Sequence, residues 1–272
     1  MRISAAPRSR ALTFLCCALF TASLLAQPVA NPKQVITKAR ASYYSLADQG
    51  MAGFQCAVTP DWEKLLEGQR KQNPAAADEA IKTLNRLHFV FNVDKGQVKI
   101  THNEVSGVSK EMSDALAQVY GGMEQMAMGF FDTWKLFMIN GPLPAADSKY
   151  QLQSGGQVYL LNYVDGTADV ATTMRRDFAI SNLQVTTKEY DSAIQPSFTA
   201  SPKGFVLNSY TASYKSQDPK ETTQLVIFID YQEVDRLQIL KKLTLTGTYG
   251  GVPFAVDLAF SGCSVTRKVP VT

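Results

Sequence analysis

The sequence predicts an α+β protein: a strongly curved antiparallel β-sheet, an unclosed half-barrel, with helices packed across its concave face. Three observations predict it. Helical spacing of apolar residues prevails before residue 142, alternating spacing prevails after Lys149, and turn residues follow one another too closely there for helices to intervene. Strands at such intervals form meanders, because a parallel crossover needs a dozen or more residues.

Residues 32–48 read as an opening helix, with Val35, Ile36, Ala39, Tyr43 and Leu46 on one face and Gln49-Gly50 as the stop. Met51 to Val58 follows as a strand with Phe54, Cys56 and Val58 on one side. Asp61 caps a short helix to about Gln69, and Asn73-Pro74 starts another to about Arg86. From Leu87 the period changes: Leu87, Phe89, Phe91 and Val93 share a face, Asp94-Lys95-Gly96 turns, and Gln97 to His102 returns as a hairpin arm. Helical spacing resumes from Ser109 to Asn140, interrupted at Gly121-Gly122 and ended by Gly141-Pro142.

Beyond Lys149 the expected strands are Tyr150–Gln153, Gln157–Val164, Ala168–Met174, Leu183–Tyr190, Ser197–Ala200, Gly204–Tyr214, Thr222–Val234, Lys242–Tyr249 and Pro253–Phe260. Turn chemistry separates them, as at Ser154-Gly155-Gly156, Asp165-Gly166, Asp218-Pro219 and Gly250-Gly251. Several are apolar on both faces: Leu225, Ile227 and Ile229 alternate with Val226 and Phe228. Such a sheet calls for cover on both sides, which the helices before residue 142 are available to supply.

The first 26 residues have the parts of a secretory signal peptide: Arg2, Arg8 and Arg10 without an acid, an apolar run from Ala11, and a small-residue exit at Ala26. The run is about 16 residues, near the lower limit for a bilayer span, so an uncleaved anchor is the alternative. Cys16 and Cys17 lack the small residues a lipoprotein signal needs before its cysteine, and no lipid anchor is expected. Removing this segment takes three of the 27 basic residues and leaves 24 to balance 24 acids. The mature chain, 27–272, is therefore near neutral, with no implied nucleic-acid partner, and reads as one domain in the periplasm or secreted. Only Cys56 and Cys263 remain, expected as a disulfide joining the first strand to the last, or else as two buried thiols.

The segment 112–138 holds five of the eight methionines, interleaved with aromatics. Met is flexible and polarisable, so Met123, Met126, Phe130, Phe131, Trp134, Phe137 and Met138 are the candidate lining of an apolar cavity. The same stripe also reads as an ordinary core helix. His88 and His102, on facing arms of one hairpin, have no Cys or carboxylate pair to complete a metal site. No Gly-x-Ser-x-Gly elbow, His-Glu-x-x-His helix or phosphate-cradling loop occurs, and Asp230, Glu233 and Asp235 sit at a strand end. The chain is read as a non-enzyme without cofactor or metal.

Ala39 to Leu46, followed by Gly53 to Val58, is similar to the first helix and strand of the LolA-type periplasmic lipoprotein-carrier superfamily. Phe228 to Val234, Lys241 to Leu245, and Phe254 to Val265 resemble its closing hairpins and last strand. The resemblance implies an unclosed barrel lidded by helices, with acyl chains held in the cavity between. Two features depart from it: Ser109 to Asn140 is long for a carrier's lid, and no position matches the family's cavity arginine, although Arg175 and Arg176 are present. The leading expectation is a carrier or sensor for a lipid, lipoprotein acyl chains or another apolar ligand. The alternative is a non-enzymatic protein-interaction module in envelope assembly, docking through a sheet edge or apolar patch. A hydrolase built from scattered residues is the third reading.

Overall fold

The computed structural model describes residues 27–94, 96–216, 222–249 and 251–268. The leader segment 1–26, with Cys16, Cys17 and Ala26, lies outside the described residues. The elements run β1 (Gln27–Pro28), α1 (Pro32–Ala41), β2 (Met51–Pro60), α2 (Trp62–Leu65), α3 (Glu67–Gln72), α4 (Pro74–Leu84), β3 (Phe89–Asp94), β4 (Gln97–His102) and α5 (Lys110–Lys135). A π-helical turn, Leu136–Asn140, ends α5. Then come β5 (Tyr150–Gly155), β6 (Val158–Asp165), β7 (Ala168–Arg175), β8 (Ile180–Thr186), β9 (Tyr190–Ser201), β10 (Gly204–Ser216), β11 (Thr222–Val234), β12 (Leu237–Tyr249) and β13 (Val252–Arg267).

The strands form one 13-stranded antiparallel sheet in the order β1-β5-β6-β7-β8-β9-β10-β11-β12-β13-β2-β3-β4. From β5 to β13 each strand pairs with the next, and β2, β3 and β4 extend the far side of β13. β4 and β5 do not pair, so the sheet stays open, and α5 carries the chain from one side of it to the other. Sheet dominates and helices are the minority, as the alternation after Lys149 predicts. No helix among the described residues is long and apolar enough to cross a membrane.

Inward residues follow from the register. Leu152, Leu161, Thr172, Leu183, Ile194 and Ala212 lie opposite one another across six strands and are all buried. Their neighbours along each strand point to the other face and are mostly polar, Leu160, Ala171 and Ala193 excepted. Ring contacts put α5 on the inward face: Phe131 meets Phe91 of β3 and Phe137 meets Phe198 of β9. Tyr43, just past α1, packs on Phe198 and Phe205 of the same face.

Four expectations are corrected. The opening helix stops at Ala41, not 48, because the next residues pair with β10: the Phe205 amide donates to the Ser42 carbonyl at 2.8 Å and the Tyr44 amide to the Phe205 carbonyl at 3.0 Å. That approach requires Gly204, which has φ +112° and where a Cβ would lie 2.7 Å from the Tyr43 backbone. Gly121-Gly122 does not interrupt α5; a glycine costs about 1 kcal/mol in a helix, less than the burial of Leu116, Met123 and Ala127 around it returns. The strand expected over Leu183–Tyr190 is two, since β8 ends at Thr186 and the Thr187 hydroxyl accepts from the Glu189 and Tyr190 amides in a turn. Finally, the outward face of β11 is not covered: Val226 is 39% exposed and Phe228 56%.

Cys56 and Cys263 are bonded. They join β2 to β13, neighbours in the sheet although 207 residues apart in the chain. Gln232 braces the bridge, its amide donating to the Leu240 and Phe260 carbonyls at 2.8 and 3.1 Å and lying 3.4 Å from the Cys263 sulfur.

Candidate functional site

Ser109 caps α5, its hydroxyl accepting from the Met112 amide. Leu116, Met123, Ala127, Phe130, Phe131 and Trp134 then recur at helical spacing and are buried, while Met126 is half-buried and Met128 exposed. Six of the seven residues expected to line a cavity are at most 5% exposed; Met126 is the exception.

These side chains interlock with the sheet. Phe131 lies 5.2 Å from Phe91 and 5.5 Å from Trp134, and Trp134 lies edge-on to Phe54 at 5.9 Å. The Trp134 indole donates to the Tyr231 hydroxyl at 3.1 Å, and that hydroxyl donates to the Leu207 carbonyl at 2.6 Å. Burial pushes the Tyr231 phenol far above its usual value, against the opposing effect of the Trp134 hydrogen bond. The Met138 sulfur accepts from the Leu207 amide, and the Met138 carbonyl from the Leu46 amide. The Thr133 and Tyr214 hydroxyls are 3.3 Å apart, whereas the buried Tyr210 hydroxyl has no partner among the described residues. The stripe is thus packed as core, with a small polar seam of tyrosines beneath it.

The open grooves lie elsewhere. One of about 690 Å³ is lined from Gln151, Asn162, Asp169 and Gln184 on β5 to β8, and one of about 420 Å³ from Gln195, Thr211, Gln224 and Thr246 on β9 to β12. A third, of about 430 Å³, reaches Phe228. The first two are lined mainly by outward-pointing residues, the third also takes in Ile180, Phe198, Phe205 and Tyr210, and none of the three includes a residue of α5. A fourth, of about 570 Å³, sits beside bulges in β10 and β12, where Asp230, Glu233 and Lys203 share a wall with Tyr44 and Asn208. The Asn208 amide donates to the Thr199 hydroxyl, and its oxygen is buried without a partner.

The histidines do not meet as a pair. Register sets His102 opposite Phe89, and its ring stacks on Tyr120 at 3.5 Å, while the His88 backbone amide donates to the Asn103 side chain. Among the described residues no three His, Cys, Asp or Glu side chains gather as a metal site.

Sequence reading missed two features. One is the open edge: β4 pairs only with β3 among the described residues, and no described strand pairs with its outer side. The other is an uncharged band on the outward face, whose signal is the spacing of Gln151 with Gln153, Gln224 with Val226, and Thr246 with Thr248. Comparison with protein-family models, with curated proteins and with solved structures finds no match to this chain.

Proposed function

We propose that this chain is a non-enzymatic protein-interaction module of the cell envelope, docking a partner strand on the open edge of β4. The observation that carries the reading is that edge: a six-residue strand in which every second residue turns its backbone donor and acceptor away from β3 with no strand to meet them, guarded only by Lys99. A partner that adds a strand gains main-chain hydrogen bonds there, and Val98 and Ile100, both half-buried, offer side-chain contacts. A Cys56–Cys263 disulfide supports an oxidising compartment, and with the basic and apolar leader it supports export.

The sheet, on this reading, curves around α5 as a half-barrel. Supporting this, Trp134 touches both Phe54 of β2 and Tyr231 of β11, three places apart in the sheet and about 14 Å apart were it flat. The likeness to LolA-type carriers in element order extends to this architecture and not to cargo. A carrier of apolar ligands would need α5 to lift from the sheet, at the cost of exposing Phe130, Phe131 and Trp134.

Photo-crosslinkers placed at Lys99 and Thr101, with Glu124 on the exposed side of α5 as control, test the docking edge in the native envelope. One defined protein crosslinked from β4 and not from Glu124 is the expected result. Equal labelling from all three positions, or none from β4, overturns it.

A further inference from the structure

We infer that the outward face of the sheet is a binding platform for a neutral, extended glycan strand, a ligand distinct from the edge-docking partner. The argument starts from register. One outward row crosses nine strands without a break, from Gln151 on β5 through Asn162, Gln184 and Gln224 to Pro253 on β13. The outward positions two residues along each strand run in register from Gln153 to Asn182 on β5 to β8 and from Gln195 through Thr211 and Thr246 to Ala255 on β9 to β13. Neither row, nine positions each, contains a Lys, Arg, Asp or Glu, in a chain that is 19% charged. Solvated sheet faces usually carry charges, and these resume immediately outside the band, at Asp169, Asp191 and Lys215 on one side and at Arg175 and Asp257 on the other.

The band is about 38 Å long and about 7 Å between its rows. Its seven side-chain amides, at 151, 153, 162, 182, 184, 195 and 224, have no hydrogen-bond partner among the described residues, so each offers a donor and an acceptor outward. The groove of about 420 Å³ lies in the middle of the band, and Phe228, an exposed aromatic, stands at the band's margin.

This chemistry selects among polymers. An anionic strand finds no cation in the band and a cationic one no anion. A glycan without charge presents hydroxyls for the amides and threonines, and C–H faces for Phe228 and Val226. Rows that repeat at the strand spacing, about 4.8 Å, advance nearly in step with the rings of an extended β-linked chain.

The test is isothermal titration of the purified protein with cellohexaose and chitohexaose, the neutral probes, against polygalacturonate as the anionic one. Saturable binding of at least one neutral probe is expected, unchanged between about 0.1 M and about 1 M salt. Gln224→Lys and Gln184→Glu, on solvent-facing positions three strands apart in the sheet, should each weaken it about tenfold with the melting temperature preserved. Failure of both neutral probes to bind, or binding indifferent to both substitutions, overturns the assignment. A salt-sensitive preference for the anionic probe, or a dimer in sedimentation that both substitutions abolish, overturns it equally. Crosslinking from β4 reads the edge alone, so either proposal can fail without the other.

Discussion

The Tyr43 hydroxyl donates to the Phe178 carbonyl at 2.7 Å and accepts from the Ile180 amide at 2.8 Å, tying the exit of α1 to the β7–β8 turn. Phe178 has φ +71°, a backbone state that a side chain disfavours and that this bond helps hold. Tyr43→Phe leaves both backbone groups without their partner, and urea unfolding should show a loss of about 1–3 kcal/mol. Tyrosine burial also sets the alkaline limit: burial pushes the Tyr163 phenol up to about 12 and raises Tyr44 and Tyr214 too. A phenol that ionises later in the folded chain than in the unfolded one favours folding fully below pH 10. Stability should therefore fall as pH rises from about 10 to about 12, seen as a dropping melting temperature. At Asp257 burial acts upward, but hydrogen bonds from Lys64, Lys242 and Thr244 outweigh it and hold the carboxyl below its usual value. Asp257→Asn should cost about 1 kcal/mol at neutral pH, with the difference from the native protein vanishing as pH falls below about 4. Sequence could flag Tyr43 only as apolar and helical. Its two partners lie 135 and 137 residues away, and no local pattern carries them.

Among the elements, α5 separates the two meanings of its Met and aromatic stripe. A residue that lines a ligand cavity lowers binding when truncated, whereas one that fills the core lowers stability. Trp134→Ala and Phe131→Ala should each cost about 3–5 kcal/mol in denaturant unfolding, since both rings are buried and in contact with sheet aromatics. Gly121→Ala should do the reverse and stabilise by up to about 1 kcal/mol, because a Cβ there meets nothing within 4 Å. Element type was legible where the period was strict: the β3–β4 hairpin and Thr222–Val234 stand where alternation put them. It failed where local and tertiary preferences conflict, at Gly121-Gly122, which packing overrides, and at residues 42–48, which β10 draws out of the helix. For the site, the helical stripe was visible and its partner surface was not. Spacing shows that residues 123, 127, 130 and 134 share a face, but the same spacing serves a cavity wall and a filled core.

At the scale of the whole molecule, the Cys56–Cys263 bridge fastens the N-terminal strands to the last one, closing a loop that spans almost the entire described chain. Cys56→Ser with Cys263→Ser should lower stability by about 2–4 kcal/mol, read from the denaturant midpoint. The pairing was legible from the count of two cysteines. The strand order was legible only as a meander: nothing local in β2 announces that it returns beside β13, or that β4 is left as an edge. That order leaves α5 sealed on one face while the other face and the β4 edge stay open, and the functional account rests on this division. Hydrogen exchange along α5, with and without added phospholipid or fatty acid, tests it most directly. If α5 is permanent core, its central amides exchange only through global unfolding and lipid leaves them unchanged. Early, cooperative opening of α5 that added lipid suppresses would contradict the account and return the molecule to a carrier with α5 as its lid.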